Sequence, residues 1–322
     1  MVAYSKNFLP INDQLNLLRS RGLYVSDETK AEMWLGTIGY YRLSGYFHPF
    51  LSGGQEVVPK NADAEKPLDT FVPGTRFEEI VEIYLWDSRL RKLMLTYLEP
   101  VEIKLKTEIA LKLGVRSPYA HLEPKYLHGN FTKKVSSQSG LSPHQMWVFK
   151  HIQKIADSSE QFVPHFREKY EGQIPIWVAV ELMDFGGAGK LLQGMSHDDR
   201  SEIALAFGAP TPRVLDNWMA HLNQVRNISA HHSRLWNRKI QVVPSFKGIG
   251  DVSVLAKHLL PEGKYLIGGS WKVVDHISSV TSQTSGWSHD LRQLVLSLPE
   301  SNVSHDKAIG LNVSSFLAGS KG

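Results

Sequence analysis

The chain has 322 residues, 42% of them hydrophobic, which is enough to bury a sizeable core as one large or two smaller units and excludes a disordered or fibrous class. It has no cysteine, which excludes disulfides, thiolate metal sites and a cysteine nucleophile. The net charge of +4 is a mild basic bias, compatible with nucleic acid and equally with an ordinary basic surface.

Apolar periodicity predicts short helices over Asn12–Leu18 and Ser26–Ile38, with Ser26 as N-cap of the second and Gly39-Tyr40-Tyr41-Arg42 closing the pair. Ser52–Gly74, rich in Gly, Pro and charge, reads as a loop. A long amphipathic helix is expected from Thr75 to Leu113, bent or broken near Pro100. Gly129–Pro143 reads as a second flexible segment. Further helices are expected over Gln145–Ala156, Trp177–Phe185, Asp198–Phe207 and Ser288–Ser297. Gln241–Ser245 and Lys264–Lys272 hold short apolar runs expected to be extended, and Ser301–Gly322 is expected to fray. The result is a mainly α chain: an N-terminal helical segment and loop (residues 1–74), a helical core (75–245) and a mixed C-terminal segment (246–322) whose structure the sequence leaves open. No apolar run approaches the roughly 18 residues of a membrane helix, and the N-terminus lacks a signal-peptide pattern, so a cytoplasmic protein without a membrane partner is expected.

Val214–Arg238 runs without Pro or Gly and reads as one helix of six or seven turns. At about 100° per residue, Asn223, Asn227, His231, Arg234 and Arg238 fall within about 80° of one another, a polar and partly cationic stripe. His232 points instead toward Val225 and Trp236, which reads as a structural position for His232, with Trp236 and Trp218 in the core. Arg226 lies about 140° from His231, so the two can meet only at a groove edge or across a helix pair. An Arg-x4-His spacing is weak by itself, since roughly 0.6 such pairs are expected by chance in this composition. Arg116 and His121 share the spacing, but Ser117-Pro118 places that pair on a turn. Tyr40, Tyr41 and Arg42 admit two readings, stacking and phosphate contact with single-stranded RNA or packing of the N-terminal helices, with Arg42 the more open of the three.

Other chemistries find little support. Gly186-Gly187-Ala188-Gly189-Lys190 lacks the Ser/Thr and preceding strand of a phosphate loop, no His-Glu-x2-His is present, and Glu99 and Glu102 read as a solvated helix face, so neither a metal nor a cofactor is expected.

The run from Arg226-Asn227 to His231 resembles the RN-x3-H motif of the HEPN superfamily, and the longer string to Arg238 resembles the Abi-like (AbiD/AbiF) abortive-infection family. Segments at Phe8–Leu23, Ile38–Phe50, Phe77–Ala110 and Ile174–Leu191 follow that family's pattern in order, so the likeness spans roughly residues 4–245. The resemblance implies a HEPN-type bundle over 75–245 and a metal-independent endoribonuclease of phage defence. In it the ribose 2′-OH attacks the adjacent phosphorus and leaves a 2′,3′-cyclic phosphate. Catalysis would fall to His231 as acid and base, Arg226 on the phosphate and Asn227 orienting either, while Arg234, Arg238, Asn223 and Arg42 would contact RNA. It also implies a site shared across a homodimer, or a closed monomer awaiting a partner. The alternatives are a non-catalytic module that binds or is restrained by a structured regulatory RNA, and an interaction protein whose polar stripe is incidental.

Overall fold

Leu15 and Leu18 bury the inner face of α1 (Ile11–Ser20) in a computed structural model that describes residues 7–54, 69–249, 254–281 and 286–319. α2 (Glu28–Ile38) is capped by Asp27, whose carboxylate accepts from the Lys30 N–H at 3.0 Å. Ser26, the expected cap, instead donates its hydroxyl to Glu78 at 2.6 Å. An acid at a helix N-terminus adds charge to the capping bond, which favours Asp27. Gly39 turns the chain at φ +87°, and Tyr40 opens a third helix, α3 (Tyr40–Phe47), where a simple closure was expected. Tyr40 packs edge-on against Phe47 at 5.8 Å, but Tyr41 is 92% exposed, so the packing role holds for the first tyrosine alone. Within the expected loop Ser52–Gly74, residues 55–68 lie outside the described residues; Leu51 and Phe71 pair across its ends.

α4 (Phe77–Gly114) then runs unbroken for 38 residues, about 57 Å. Pro100 neither ends nor divides it, so of the expected bend or break the break does not occur. A helix-interior proline costs about 3 kcal/mol, but Met94, Tyr97, Leu98, Val101 and Leu105 are all buried around it and hold both halves to the core. α5 (Gly129–Thr132) starts the segment expected to be flexible. Ser142 and Gln145 exchange side-chain bonds in a capping box that starts α6 (Pro143–Asp157), followed by α7 (Phe162–Lys169). Trp177–Phe185 is not one helix: α8 (Ile176–Ala179) gives way to a 3₁₀ turn, and α9 (Phe185–Gly194) begins after Asp184, which caps the Gly187 N–H at 2.6 Å. Gly186 and Gly187 therefore lie inside a helix. α10 (His197–Ala206) precedes α11 (Pro212–Ala230).

α4 packs against α3, α8, α9, α10 and α11, and the C-terminal residues close on its far side. Gln241–Ser245 is irregular, and Lys264–Lys272 leads into α12 (Ile267–Val280), so neither expected extended run forms. The glycines there serve close approach, since a Cβ on Gly268 would come 2.8 Å from the Ile309 carbonyl and one on Gly269 would come 2.7 Å from that of Lys264. α13 (Trp287–Leu296) is followed by α14 (His305–Ile309) and α15 (Val313–Ala318). Of the tail expected to fray, residues 320–322 lie outside the described residues, and 301–319 are tied down: the buried Glu79 of α4 accepts from the Ser301 hydroxyl at 2.6 Å and the Asn302 N–H at 2.7 Å. One apolar core continues from Leu15 to Phe316, and the molecule is mainly α, without a strand beyond isolated bridges among the described residues.

Inside this core α4 carries a fully buried carboxylate. Asp87 accepts from the Tyr46 hydroxyl at 2.5 Å, the Arg91 guanidinium at 2.5 Å and the Trp236 N–H at 2.8 Å, with the Leu235 N–H at 3.2 Å. Burial pushes its pKa up, opposed by Arg91, Tyr46 and the two main-chain N–H groups. Every neighbour that touches it donates, so the ionised form is the one this nest holds. Asp87→Ala leaves Arg91 buried without its partner and is expected to destabilise the fold by about 3–5 kcal/mol; urea unfolding showing less than about 1 kcal/mol would remove Asp87 from this role.

Three buried histidines are held neutral. Burial lowers His121 to about 3, helped by the fields of His151 and His144, and lowers His151 and His221 to about 4. His221 is fully buried, and its neutral ring is satisfied there: Nδ1 donates to the Val242 carbonyl at 2.5 Å and Nε2 lies 2.8 Å from the Ser270 hydroxyl, which can donate to it. In the unfolded chain these rings titrate near 6.5. Their contribution to stability is therefore complete above about pH 6.5 and is lost as pH falls toward 4, with a slope of about 1.4 kcal/mol per pH unit for each ring around pH 5. Denaturant unfolding at pH 7 and pH 5 is expected to show this loss; equal stability at the two pH values would contradict the neutral assignments.

Candidate functional site

α11 starts on Thr211, whose side chain accepts from the Val214 N–H, with Pro212 at the first helical position. Its apolar face, Leu215, Trp218, Met219, Leu222 and Val225, is buried against α4 and α9. Asn223, Arg226 and Asn227 are left half-buried on the other side.

The helix ends at Ala230, two turns before the sequence suggests. His231 is the C-cap, and His232 takes the left-handed conformation at φ +55°. The His232 N–H bonds the Ser229 carbonyl at 3.1 Å and the Ser233 N–H reaches back to Ile228 at 2.9 Å, the Schellman pattern. No glycine marks it, because the turn is fixed from outside. Arg42 of α3 donates to the His232 carbonyl at 2.6 Å, and Asp87 takes the N–H groups of Leu235 and Trp236 just beyond.

This ending redistributes the expected stripe. His232 is exposed, not packed toward Val225, because the left-handed turn rotates it out of the helical phase. Trp236 is fully buried, stacked on Tyr46 at 6.4 Å. Arg234 turns inward and donates to the Asn237 carbonyl at 2.8 Å, and Arg238 returns to the Arg234 carbonyl at 3.3 Å. Arg234 and Arg238 thus bind their own loop rather than extending a helical anionic track. Arg42 stays exposed while holding the turn.

Asn223, Asn227 and His231 do come together. They line a polar cavity of about 450 Å³ with Gln224, Ser233, Gln241 and Val242, the last two supplied by the segment after the turn. The part this segment plays in the site escaped sequence reading because it has no periodicity; it is placed by the Val242 N–H, which donates to the Gln224 side-chain oxygen at 2.9 Å, and by His221, which donates to the Val242 carbonyl. Arg226 does not line this cavity. Its Nε lies 3.6 Å from Glu102 of α4, and its Nη1 is 3.5 Å from the Asn227 side-chain oxygen. Asn227 is the link, since its amide also donates toward Asn223 at 3.5 Å. On the same flank Asp184 is held below the usual carboxylate range, against the effect of its burial, by Lys154, the Gly187 N–H and the field of Arg226. The arrangement offers an exposed imidazole, two amides and, around the helix edge, a guanidinium, groups suited to an anionic ester.

The matching pair is structural. Arg116 makes a bidentate bond to Asp199, both contacts at 2.5 Å, and His121 is 1% exposed. Among the described residues no three of His, Asp and Glu are placed to hold a metal ion. No helix there is long and apolar enough to cross a membrane.

The left-handed turn carries a stability consequence. Glycine adopts φ near +55° without the Cβ penalty, so His232→Gly is expected to leave the fold intact and raise its stability by up to about 1 kcal/mol, whereas His232→Val lowers it. A destabilised glycine variant in thermal melts would show that the His232 side chain has a packing role.

Neither the curated proteins nor the solved structures include a match to this chain. The family model described as Abi-like protein matches residues 33–237, a span that runs from α2 through the Arg226–His231 turn to Asn237. The chain therefore belongs to the Abi-like family, the family associated with phage abortive infection.

Proposed function

We propose that this protein is a metal-independent endoribonuclease of phage defence, acting on RNA in the cytoplasm. The observation that supports it best is the end of α11, where His231, Asn227 and Asn223 share one polar cavity and Asn227 connects them to Arg226. An exposed imidazole can take the 2′-OH proton as that oxygen attacks phosphorus. As the P–O5′ bond breaks, a second imidazole or the same one returns a proton to the leaving 5′-oxygen. The products are a 2′,3′-cyclic phosphate and a 5′-OH. Arg226 supplies permanent charge and a planar fork for the non-bridging oxygens. Because Arg226 lies around the helix edge from His231, a site shared by two copies across a two-fold axis supplies both imidazoles and brings an Arg226 of one protomer toward His231 of its partner.

The position of Arg226 against Glu102 also favours a second reading, a non-catalytic module that grips RNA phosphate and is held by a structured RNA. End groups separate the two. Purified protein incubated with total RNA in excess EDTA is expected to give fragments with cyclic phosphate ends, and Arg226→Ala and His231→Ala are each expected to abolish them with melting temperatures unchanged. RNA bound but uncut supports the second reading; cleavage that persists in both variants removes these residues from the site.

A further inference from the structure

Beside the motif helix lies a second cavity, of about 400 Å³, between α6 and α9. Its floor is apolar and aromatic: Met146, Trp147 and Met183 line it, with the backbone of Gly186 and Gly187. Trp147 is fixed there, donating its indole N–H to the Gly187 carbonyl at 2.8 Å and stacking on His151 at 5.0 Å with 15° between the rings. His151 lines the same cavity, is 3% exposed, and its Nε2 has no hydrogen-bond partner among the described residues. A buried ring nitrogen left unpaired beside an apolar floor is a polar group whose desolvation is not yet offset.

The rim is cationic. Lys150, Lys154 and Lys190 stand around the mouth. Lys154 is paired with Asp184, and Lys190 reaches Gln193 at 3.2 Å, but Lys150 is exposed and has no carboxylate partner among the described residues. The Asp184 carboxylate is committed to Lys154 and to the Gly187 N–H, so it caps α9 itself and leaves the anion-binding work to the lysines. A flat aromatic floor, one unpaired ring nitrogen and a lysine rim match a planar heterocycle joined to a phosphate, and the volume falls in the range of small-ligand sites.

We propose that this cleft binds one nucleotide unit, its base on the Trp147–His151 floor and its phosphate on Lys150 and Lys190. The unit comes either from a free mononucleotide or from an RNA strand already on the motif helix. The second source rests on the RNA reading above, and the fold supports it: Gly186 walls the cleft on one side and on the other faces Asn223, so closely that a Cβ on Gly186 would come 3.2 Å from the Asn223 amide nitrogen. A strand leaving the Asn223–His231 cavity would reach the cleft across that wall.

The test uses the full chain and calorimetric titration with the four nucleoside 5′-monophosphates and with inorganic phosphate. At least one mononucleotide is expected to bind wild type, Lys150→Glu is expected to weaken it about fivefold or more, as loss and reversal of one charged contact implies, and Met146→Trp, which fills the cleft, is expected to abolish it. Lys150 is exposed, so its variant reports on binding even if Met146→Trp does not fold. No mononucleotide binding, binding of phosphate as tight as of the nucleotides, or affinity unchanged in Lys150→Glu would each overturn the proposal. A short oligoribonucleotide distinguishes the sources: competition with the mononucleotide and weakened binding to Lys150→Glu assign the cleft to the RNA strand, whereas mononucleotide binding with an indifferent oligonucleotide assigns it to a free nucleotide. An oligonucleotide that binds no form of the protein counts against the RNA reading alone, because the mononucleotide titration decides the cleft without it.

Discussion

The carboxylate of Asp87 organises the molecule around the motif. A charge with no exposure to water persists only when its partners are numerous and fixed, and here they come from three parts of the chain: Tyr46 from α3, Arg91 from α4 itself, and the main chain at Leu235 and Trp236. The last of these matters most for the site. Two N–H groups pinned to one carboxylate fix the path of the chain just after His231 and His232, while Arg42 holds the His232 carbonyl from α3. A helix that ends without glycine or proline ends there because those outside bonds make the left-handed turn the better-satisfied path. Exposure of His231 is thus a consequence of charge buried elsewhere, on a helix that does not carry the motif.

The C-terminal residues complete the same construction from behind. Trp86 donates to the Leu294 carbonyl at 2.9 Å and Tyr97 donates to Asp290 at 2.7 Å, so α4 holds α13 by polar bonds as well as by apolar contact. Asn237, in a left-handed conformation at φ +50°, gives its N–H to Ala308, and Ile240 gives its N–H to Tyr265. The loop that carries Arg234 and Arg238 is therefore clamped between α4 and the last third of the chain. Both arginines turn to carbonyls of this loop because its main chain, curled through two left-handed residues, presents oxygens that a helix would have used internally.

What was legible follows from what is local. The periodic helices α1, α2, α4, α6, α10, α11 and α13 were visible because one face of each is buried and spacing reports burial directly. The pairing of Asn223, Asn227 and His231 was visible for the same reason, since the three span two turns of one helix and the C-cap keeps helical direction closely enough. The turn at His232 was not, because its cause lies in Asp87 and Arg42, 145 and 190 residues away in sequence. A signal existed: Asp87 and Arg91 stand at i and i+4 among buried Ile83, Trp86, Leu90 and Met94, and two charges on an apolar face call for partners from elsewhere. Lys264–Lys272 reads as extended rather than as the start of α12 because sequence cannot separate a glycine that weakens a helix from one, such as Gly268 or Gly269, that admits a neighbouring backbone. Pro100 does not break α4, because its local cost is offset by core contacts that only the fold reveals.

On the nuclease reading, the placement of Arg226 bears on how a phosphodiester would meet this surface. Glu102 pairs with Lys106 at 3.0 Å and lies 3.6 Å from Arg226, so the guanidinium faces a carboxylate whose charge is already partly offset. The contact is long and its carboxylate is shared with Lys106, and on that reading an incoming phosphodiester, whose single charge is spread over two non-bridging oxygens in the geometry that a guanidinium matches, would displace it. Asn227 touches Arg226 on one side and lines the His231 cavity on the other. On the same reading, a phosphate drawn to Arg226 would arrive beside an amide that lines the same cavity as the histidine. On the nuclease reading, the step from binding to cleavage is then a matter of which imidazole stands opposite, the one at the end of the same helix or the one at the end of its symmetry mate. The 140° between the two positions on one helix favours the mate, because a ribose 2′-oxygen and a 5′-oxygen lie on opposite sides of the phosphorus and two proton carriers on opposite sides serve them without moving.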